Sequence, residues 1–283
     1  MAVSTGTWVG ASVQSVWDML LPAHTKAHTH SSSWLLLGQA TTANVCMFTI
    51  APMWYWHHVE QQPLKALFPH RPVYLRLATL TIGLTMAFVL ASTWIAQWNA
   101  ALRLPMFLRD FEVWAQQREV SLREVLKLLT SFEDIPSLIM GLVAMAVVPA
   151  VGEELLFRGV LQNMLYQGYR RRDAAIWASA VIFSAVHGQF YAFFPRLLIG
   201  ALLGYIYWWT RNLLFPIIGH FCNNATVLLL IYLHRQGVLA QDVTDATSFE
   251  LPALPWFILA TGIAALLAIA MHREVRVGAT PSQ

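Results

Sequence analysis

Residues 77–96 read LATLTIGLTMAFVLASTWIA, twenty positions without a single charge. At about 1.5 Å per helical residue that run is about 30 Å long, the thickness of a bilayer's hydrocarbon core. It ends in Trp94, Gln97 and Trp98, and such residues concentrate where membrane meets water. Similar stretches flank it. Trp34 to Trp56 lies before it. Pro136 to about Leu165, Ala174 to Gln189, Phe190 to Trp209, Leu213 to Leu233 and Pro252 to Met271 follow. The sequence thus predicts an all-α, polytopic transmembrane helix bundle of seven spans. An eighth follows if Trp8 to Leu21, moderately apolar but carrying Asp18, inserts rather than lying at the interface.

Composition agrees. The 283 residues are 57% hydrophobic and 12% charged, with a mean hydropathy of +0.52. A soluble domain carries about twice that charge fraction. The net charge of +3 offers no basic surface for nucleic acid, so the bilayer is the expected environment and no nucleic acid is an expected partner. Cys46 and Cys222 both sit in apolar runs, which argues against a disulfide framework. Residues 1–30 lack the pattern of a signal peptide, so none is expected there.

Residues 99–135 differ in kind. Arg109, Asp110, Glu112, Arg118, Glu119, Arg123, Glu124 and Lys127 alternate with Phe107, Phe111, Trp114, Leu122, Val125 and Leu129 at helical spacing. This pattern predicts amphipathic surface helices, with Ser121 and Glu124 as a capping box opening the second of them. Asp173 is placed to cap the helix that begins near Ala174. Arg170 to Arg172, Arg211, Arg273, Arg276, Lys65 and Arg71 mark one side as cytoplasmic, although residues 99–135 put five basic residues on the other. Three regions are expected: 1–135, spans plus interfacial helices; 136–233, a catalytic helix bundle; 234–283, a loop, the last span and a short tail.

Ionisable groups inside membrane helices are costly and usually functional. The stretch Val151-Gly152-Glu153-Glu154-Leu155-Leu156-Phe157-Arg158 holds three. Glu154 and Arg158 are four apart and can pair on one helix face. Glu153 is turned about 100° away and stays available for chemistry. An interhelical ion-pair network is the structural alternative. Phe183 and His187 lie four apart in the next span, and His220 and Asn224 four apart in a third. By the same geometry Asn223 points elsewhere, and Cys222 is a packing residue. Taken singly, His187 reads as a packing histidine. Helical rise nevertheless puts Glu153, His187, His220 and Asn224 about 14–25 Å from the arginine markers of their helices, depths that one shared site can accommodate.

Such a set hydrolyses an amide in one of two ways. A carboxylate and a histidine activate water while histidine and asparagine donate to the oxyanion. Alternatively His187, His220 and Glu153 hold a metal, zinc being the candidate, in a two-histidine, one-carboxylate site. No compact His-Glu-x-x-His motif occurs, so the metal-free form is preferred. Gly200 and Gly204 form a small-residue pair that close helix packing explains. Pro149 and Pro216 are potential helix breaks near the site.

Glu153-Glu154-x-x-x-Arg158, Phe183-x-x-x-His187 and His220-x-x-x-Asn224, in this order on membrane helices, resemble the CPBP family. That family includes the type II CAAX prenyl endopeptidases and bacteriocin-processing or immunity proteins of the Abi group. The resemblance covers residues 149–225. It implies an intramembrane endopeptidase acting on a membrane-associated peptide or protein, in the inner membrane of a bacterium. By the same resemblance Glu153 and His187 activate water, His220 and Asn224 stabilise the oxyanion, and Glu154 and Arg158 shape the site. The family is commonly labelled metalloprotease. The competing readings are a non-enzymatic immunity or scaffold protein that binds a partner helix, and a transporter relaying protons through Glu153 and His187.

Overall fold

The computed structural model describes residues 30–63, 66, 75–240, 242 and 254–277; Trp8 to Leu21, the expected eighth span or interfacial helix, lies outside them. The described residues are helical and contain no strand. Six helices are long and apolar enough to cross a membrane: α1 (Trp34–His58), α2 (Leu75–Ala100), α4 (Ile135–Tyr169), α6 (Phe190–Thr210), α7 (Leu214–Arg235) and α8 (Leu254–Arg276). Between α4 and α6 lies α5 (Arg172–Val186), fifteen residues long. It is the seventh helix of the expected bundle, about 22 Å long and thus short of a full crossing. The protein is a helical integral membrane bundle.

Residues 109–129 form one unbroken helix, α3 (Arg109–Leu129), where a break at Ser121 was expected. The Ser121 hydroxyl donates back to the Gln117 carbonyl at 3.0 Å, a local bond available to a serine inside a helix. It therefore does not cap. The capping box stands instead at the start of α4: Asp134 accepts from the Ser137 N–H at 2.9 Å, and the Asp134 N–H donates to the Ser137 hydroxyl at 3.2 Å. Likewise Arg171 occupies the N-cap of α5. Asp173 lies within the first turn, bound to Arg172 and to the Tyr205 hydroxyl.

The Asp134 box carries a pH prediction. The Ser137 hydroxyl and then its N–H hold the Asp134 carboxyl below the usual carboxylate range. A depressed folded-state pKa adds stability above the unfolded value of about 3.9 and loses it as pH falls through the folded value. Asparagine caps equally well without titrating. Thermal unfolding in detergent should therefore give wild type and Asp134→Asn similar stability at pH 6, with wild type falling below the variant between about pH 4 and 3.

Prolines inside the spans do not break them. Pro149 and Pro52 each follow a wide π-helical turn, Val143–Val147 in α4 and Val45–Ile50 in α1. The wide turn absorbs the missing N–H and the ring's clash with the preceding turn. Pro216 falls in the first turn of α7, where no intrahelical donor is lost.

Packing sets the scaffold for the polar groups. Helix α2 packs along α8 and α7, α6 along α5, and α3 lies across α1 and the start of α6. Leu84, Leu203, Ile206, Phe215 and Met271 form the largest buried cluster, joining α2, α6, α7 and α8. At the end of α2 the fully buried Asn99 donates to the Phe190 carbonyl at 3.1 Å and accepts from the Phe194 N–H at 2.9 Å. This bond pair fixes where α6 begins.

Candidate active site

Three helices carry the site. Glu153, Glu154 and Arg158 come from α4, Phe183 and His187 from the end of α5, and His220 and Asn224 from α7. Helical spacing predicts the Glu154–Arg158 pair, and it forms: Arg158 Nη1 donates to Glu154 Oε1 at 2.6 Å, with both side chains essentially inaccessible, at 1% and 0%. The second arm, Nη2, donates to the Gly200 carbonyl at 2.7 Å. One turn on, Gln162 donates to the Gly204 carbonyl at 3.3 Å.

Close approach makes those bonds possible. A Cβ on Gly200 would meet the Phe183 ring at 3.1 Å, and one on Gly204 would meet Gln162 at 2.8 Å and Ile176 at 2.9 Å. The glycine pair thus does more than pack. Its carbonyls hold the arginine and the glutamine of α4.

Both histidines are oriented through Nδ1. His187 Nδ1 lies 2.7 Å from the Phe183 carbonyl. A carbonyl only accepts, so that nitrogen carries the proton and Nε2 presents a lone pair. His220 Nδ1 donates to Glu154 Oε1 at 2.8 Å, sharing that oxygen with Arg158. The two Nε2 atoms then face Glu153 Oε2, at 3.9 Å from His187 and 3.8 Å from His220. Glu153 Oε2 is buried and has no protein partner. These separations exceed a direct hydrogen bond and suit a water bridging carboxylate and imidazole.

The buried Phe183 ring anchors the arrangement. It stands edge-on to His187 at 5.0 Å and to His220 at 5.9 Å, and the Arg158 guanidinium lies 5.0 Å from its centroid. The turn after His187 needs Gly188, whose φ of +64° is left-handed.

These groups line a cavity of about 440 Å³ together with residues of α1, α3 and α6. Glu153, His187, His220 and Asn224 all reach it, while Glu154 and Arg158 lie behind it. Asn223 was expected to point away, yet it lines the cavity too and donates to Asn224 Oδ1 at 3.1 Å. A bond between adjacent side chains draws it round, and helical phase alone does not reveal that. The bond occupies the Asn224 oxygen and leaves its amide nitrogen to donate. Arg196 on α6 and Asn44 on α1 also line the cavity and were missed. Arg196 is the lone charged group in its span, and that is the signal that marks it, whereas Asn44 shares its span with Gln39, Thr41 and Thr42.

The donor types and tautomers suit a metal, because ligating histidines hand their other N–H to a carboxylate or carbonyl. The placement does not. Among the described residues no group of three His, Cys, Asp or Glu side chains converges on one ion. The separations of 3.8 and 3.9 Å leave room for a water between the carboxylate and the imidazoles.

Fold and site together define a helical membrane protein with a buried carboxylate–histidine centre. Residues 135–226, a stretch that includes all three motifs, match the family model described as Type II CAAX prenyl endopeptidase Rce1-like. A relative from Bacillus subtilis (strain 168), described as Uncharacterized protein YpbD, is 36% identical over 80 residues. The alignment covers 27% of this chain and 38% of the relative's own length. No solved structure matches the chain.

Proposed function

We propose that the protein is an intramembrane endopeptidase that hydrolyses a peptide bond of a membrane-associated protein or peptide, in the plasma membrane of a bacterium. The observation that carries this reading is the facing of Glu153 Oε2 by two imidazole Nε2 atoms across 3.8–3.9 Å inside a lined cavity. A water there donates one proton toward Glu153 Oε2 and the other toward His187 Nε2, leaving its lone pair free to attack the carbonyl. Glu153 takes the proton as attack proceeds and later returns it to the leaving amine, so the general base becomes the general acid.

The tetrahedral oxyanion is met by the Asn224 amide nitrogen and by His220 Nε2. Donation from Nε2 requires a proton on both ring nitrogens of His220, with Glu154 accepting the one on Nδ1. Glu154 and Arg158 take no part in bond making. They hold His220 and lock α4 to α6.

Comparing cleaved membrane-associated peptides from cells with wild type and with Glu153→Ala, His187→Ala or His220→Ala tests the reading. Uncleaved substrate should accumulate with each variant while the variant protein remains folded in detergent. Unchanged cleavage in any one of them would remove that residue from the mechanism. Purified protein should also keep its activity after chelation and carry less than stoichiometric zinc by elemental analysis. Zinc lost with activity, and restored with it, would replace the water-only mechanism.

A further inference from the structure

Two half-buried polar side chains in the candidate catalytic cavity, each with an inaccessible polar atom, have no assigned task. Arg196 enters from the first turns of α6 and lines the same cavity as Glu153 and His187. Its Nη2 donates to Gln189 Oε1. Its Nη1 is buried without any partner, and among the described residues no carboxylate lies within salt-bridge distance of it. It shares the cavity wall with Glu153 and His187, and so stands close to the reacting centre. Asn44 on α1 lines the same cavity with a buried Oδ1 that likewise lacks a hydrogen-bond partner.

An orphaned guanidinium nitrogen in a membrane interior is expensive unless something supplies an acceptor. A water-filled cavity lessens that cost, but a fixed anion removes it. Guanidinium is a donor only, shaped for carboxylate or phosphate oxygens. One free nitrogen on one arginine, in a cavity that already holds the Glu153 carboxylate, suits a single monoanionic carboxylate better than a doubly charged phosphate. The unpartnered Asn44 oxygen adds an acceptor for an N–H. A donor for a carboxylate and an acceptor for an amide N–H are together the complement of a peptide. Most of the remaining wall is apolar, from Leu37, Leu126, Met145, Ile199 and Val227, with Thr41 and Asn223 among it.

Position is fixed by one turn. Gln189, which orients the guanidinium, follows His187 by two residues across the left-handed Gly188. The anion anchor and the water-activating histidine therefore keep a set separation. We infer that Arg196 binds a carboxylate of the substrate peptide while Asn44 accepts one of its backbone N–H groups, so that the protein selects peptides carrying an acid close to the scissile bond. This assigns the substrate class of the proposed peptidase site and rests on that reading for its biological meaning. The binding itself does not require turnover.

Three probes decide it, each measured by equilibrium binding to the full chain in a nonionic detergent: lauroyl-Gly-Leu with a free carboxylate, its C-terminal amide, and lauroyl-Gly-Asp amide. At least one acid probe should bind wild type about tenfold or more tightly than the neutral amide, the worth of a charge-assisted hydrogen bond. Preference for the first acid assigns a chain terminus, and preference for the third assigns an acidic side chain. Arg196→Gln should bring that probe down to the amide's affinity while leaving the amide's own unchanged, which also reports an intact cavity. Arg196→Lys should keep part of the preference. Equal binding of acids and amide by wild type, or a preference that survives Arg196→Gln, overturns the assignment. Glu153→Gln separates the two readings: it should keep the acid preference while abolishing turnover. Retained turnover there would sink the catalytic reading and leave the anchor standing.

Discussion

Glu153→Gln should lower peptide hydrolysis by about 10²–10⁴-fold, the usual contribution of a positioned general base, without lowering the midpoint of thermal unfolding. The two halves of this result have one cause. Glu153 is buried, its Oε2 has no protein partner, and its nearest polar neighbours are imidazole nitrogens at 3.8 and 3.9 Å. A carboxylate so placed is poorly compensated in the folded protein. Glutamine keeps its shape and removes the charge, so folding loses nothing. Hydrolysis loses the carboxylate that takes the water's proton in the proposed mechanism. A side chain kept for architecture behaves in the opposite way, with stability falling and activity following it. An assay of both quantities on one preparation therefore distinguishes the peptidase from a scaffold in which the polar cluster only binds a partner helix. Full hydrolysis by Glu153→Gln would exclude it as the base.

Arg158→Met should be the most destabilising single change in the bundle, by about 3–5 kcal/mol, as when one partner of a buried ion pair is removed. Glu154 is fully inaccessible and leans on Arg158 at 2.6 Å and on His220 at 2.8 Å. Without the guanidinium, a buried carboxylate keeps only the imidazole N–H. The Gly200 carbonyl also loses its donor, and the ring of Phe183 loses the cation beside it. The double variant Glu154→Leu with Arg158→Met removes both charges and should regain much of the loss, because exchanging a buried pair for apolar side chains is often neutral or better. Activity should not return with it. His220 then lacks the acceptor that holds its Nδ1–H. Denaturant titration of wild type, single and double variants in detergent reads the stability terms. Equal stability of Arg158→Met and wild type would show that the pair contributes nothing to the fold.

Much of this was legible along the chain because the relevant physics is local. Span length follows from helical rise against bilayer thickness. The Glu154–Arg158 contact follows from four residues making about one turn. Where local rules failed, a competing partner prevailed. Ser121 bonds back to Gln117 and α3 continues. Asp173 sits inside α5, bonded across to Tyr205. Asn223 turns toward its neighbour. The span count also depends on geometry, since α5 stops after fifteen residues to place His187 at its end.

By itself, then, the sequence determined a helical membrane bundle and the helices that bear the candidate site's side chains. Both depend on periodicity and hydrophobicity within one segment at a time. Only the tertiary structure decided which groups meet. The close approach of α4 to α6 at Gly200 and Gly204, and the parking of both histidine Nδ1 atoms on Phe183 and Glu154, aim the two Nε2 atoms at Glu153. Arg196 and Asn44 join the same cavity from helices whose sequence gives no sign of facing each other. Helical phase fixes direction around one axis, whereas convergence depends on how separate axes cross, and that is set by packing across the whole bundle.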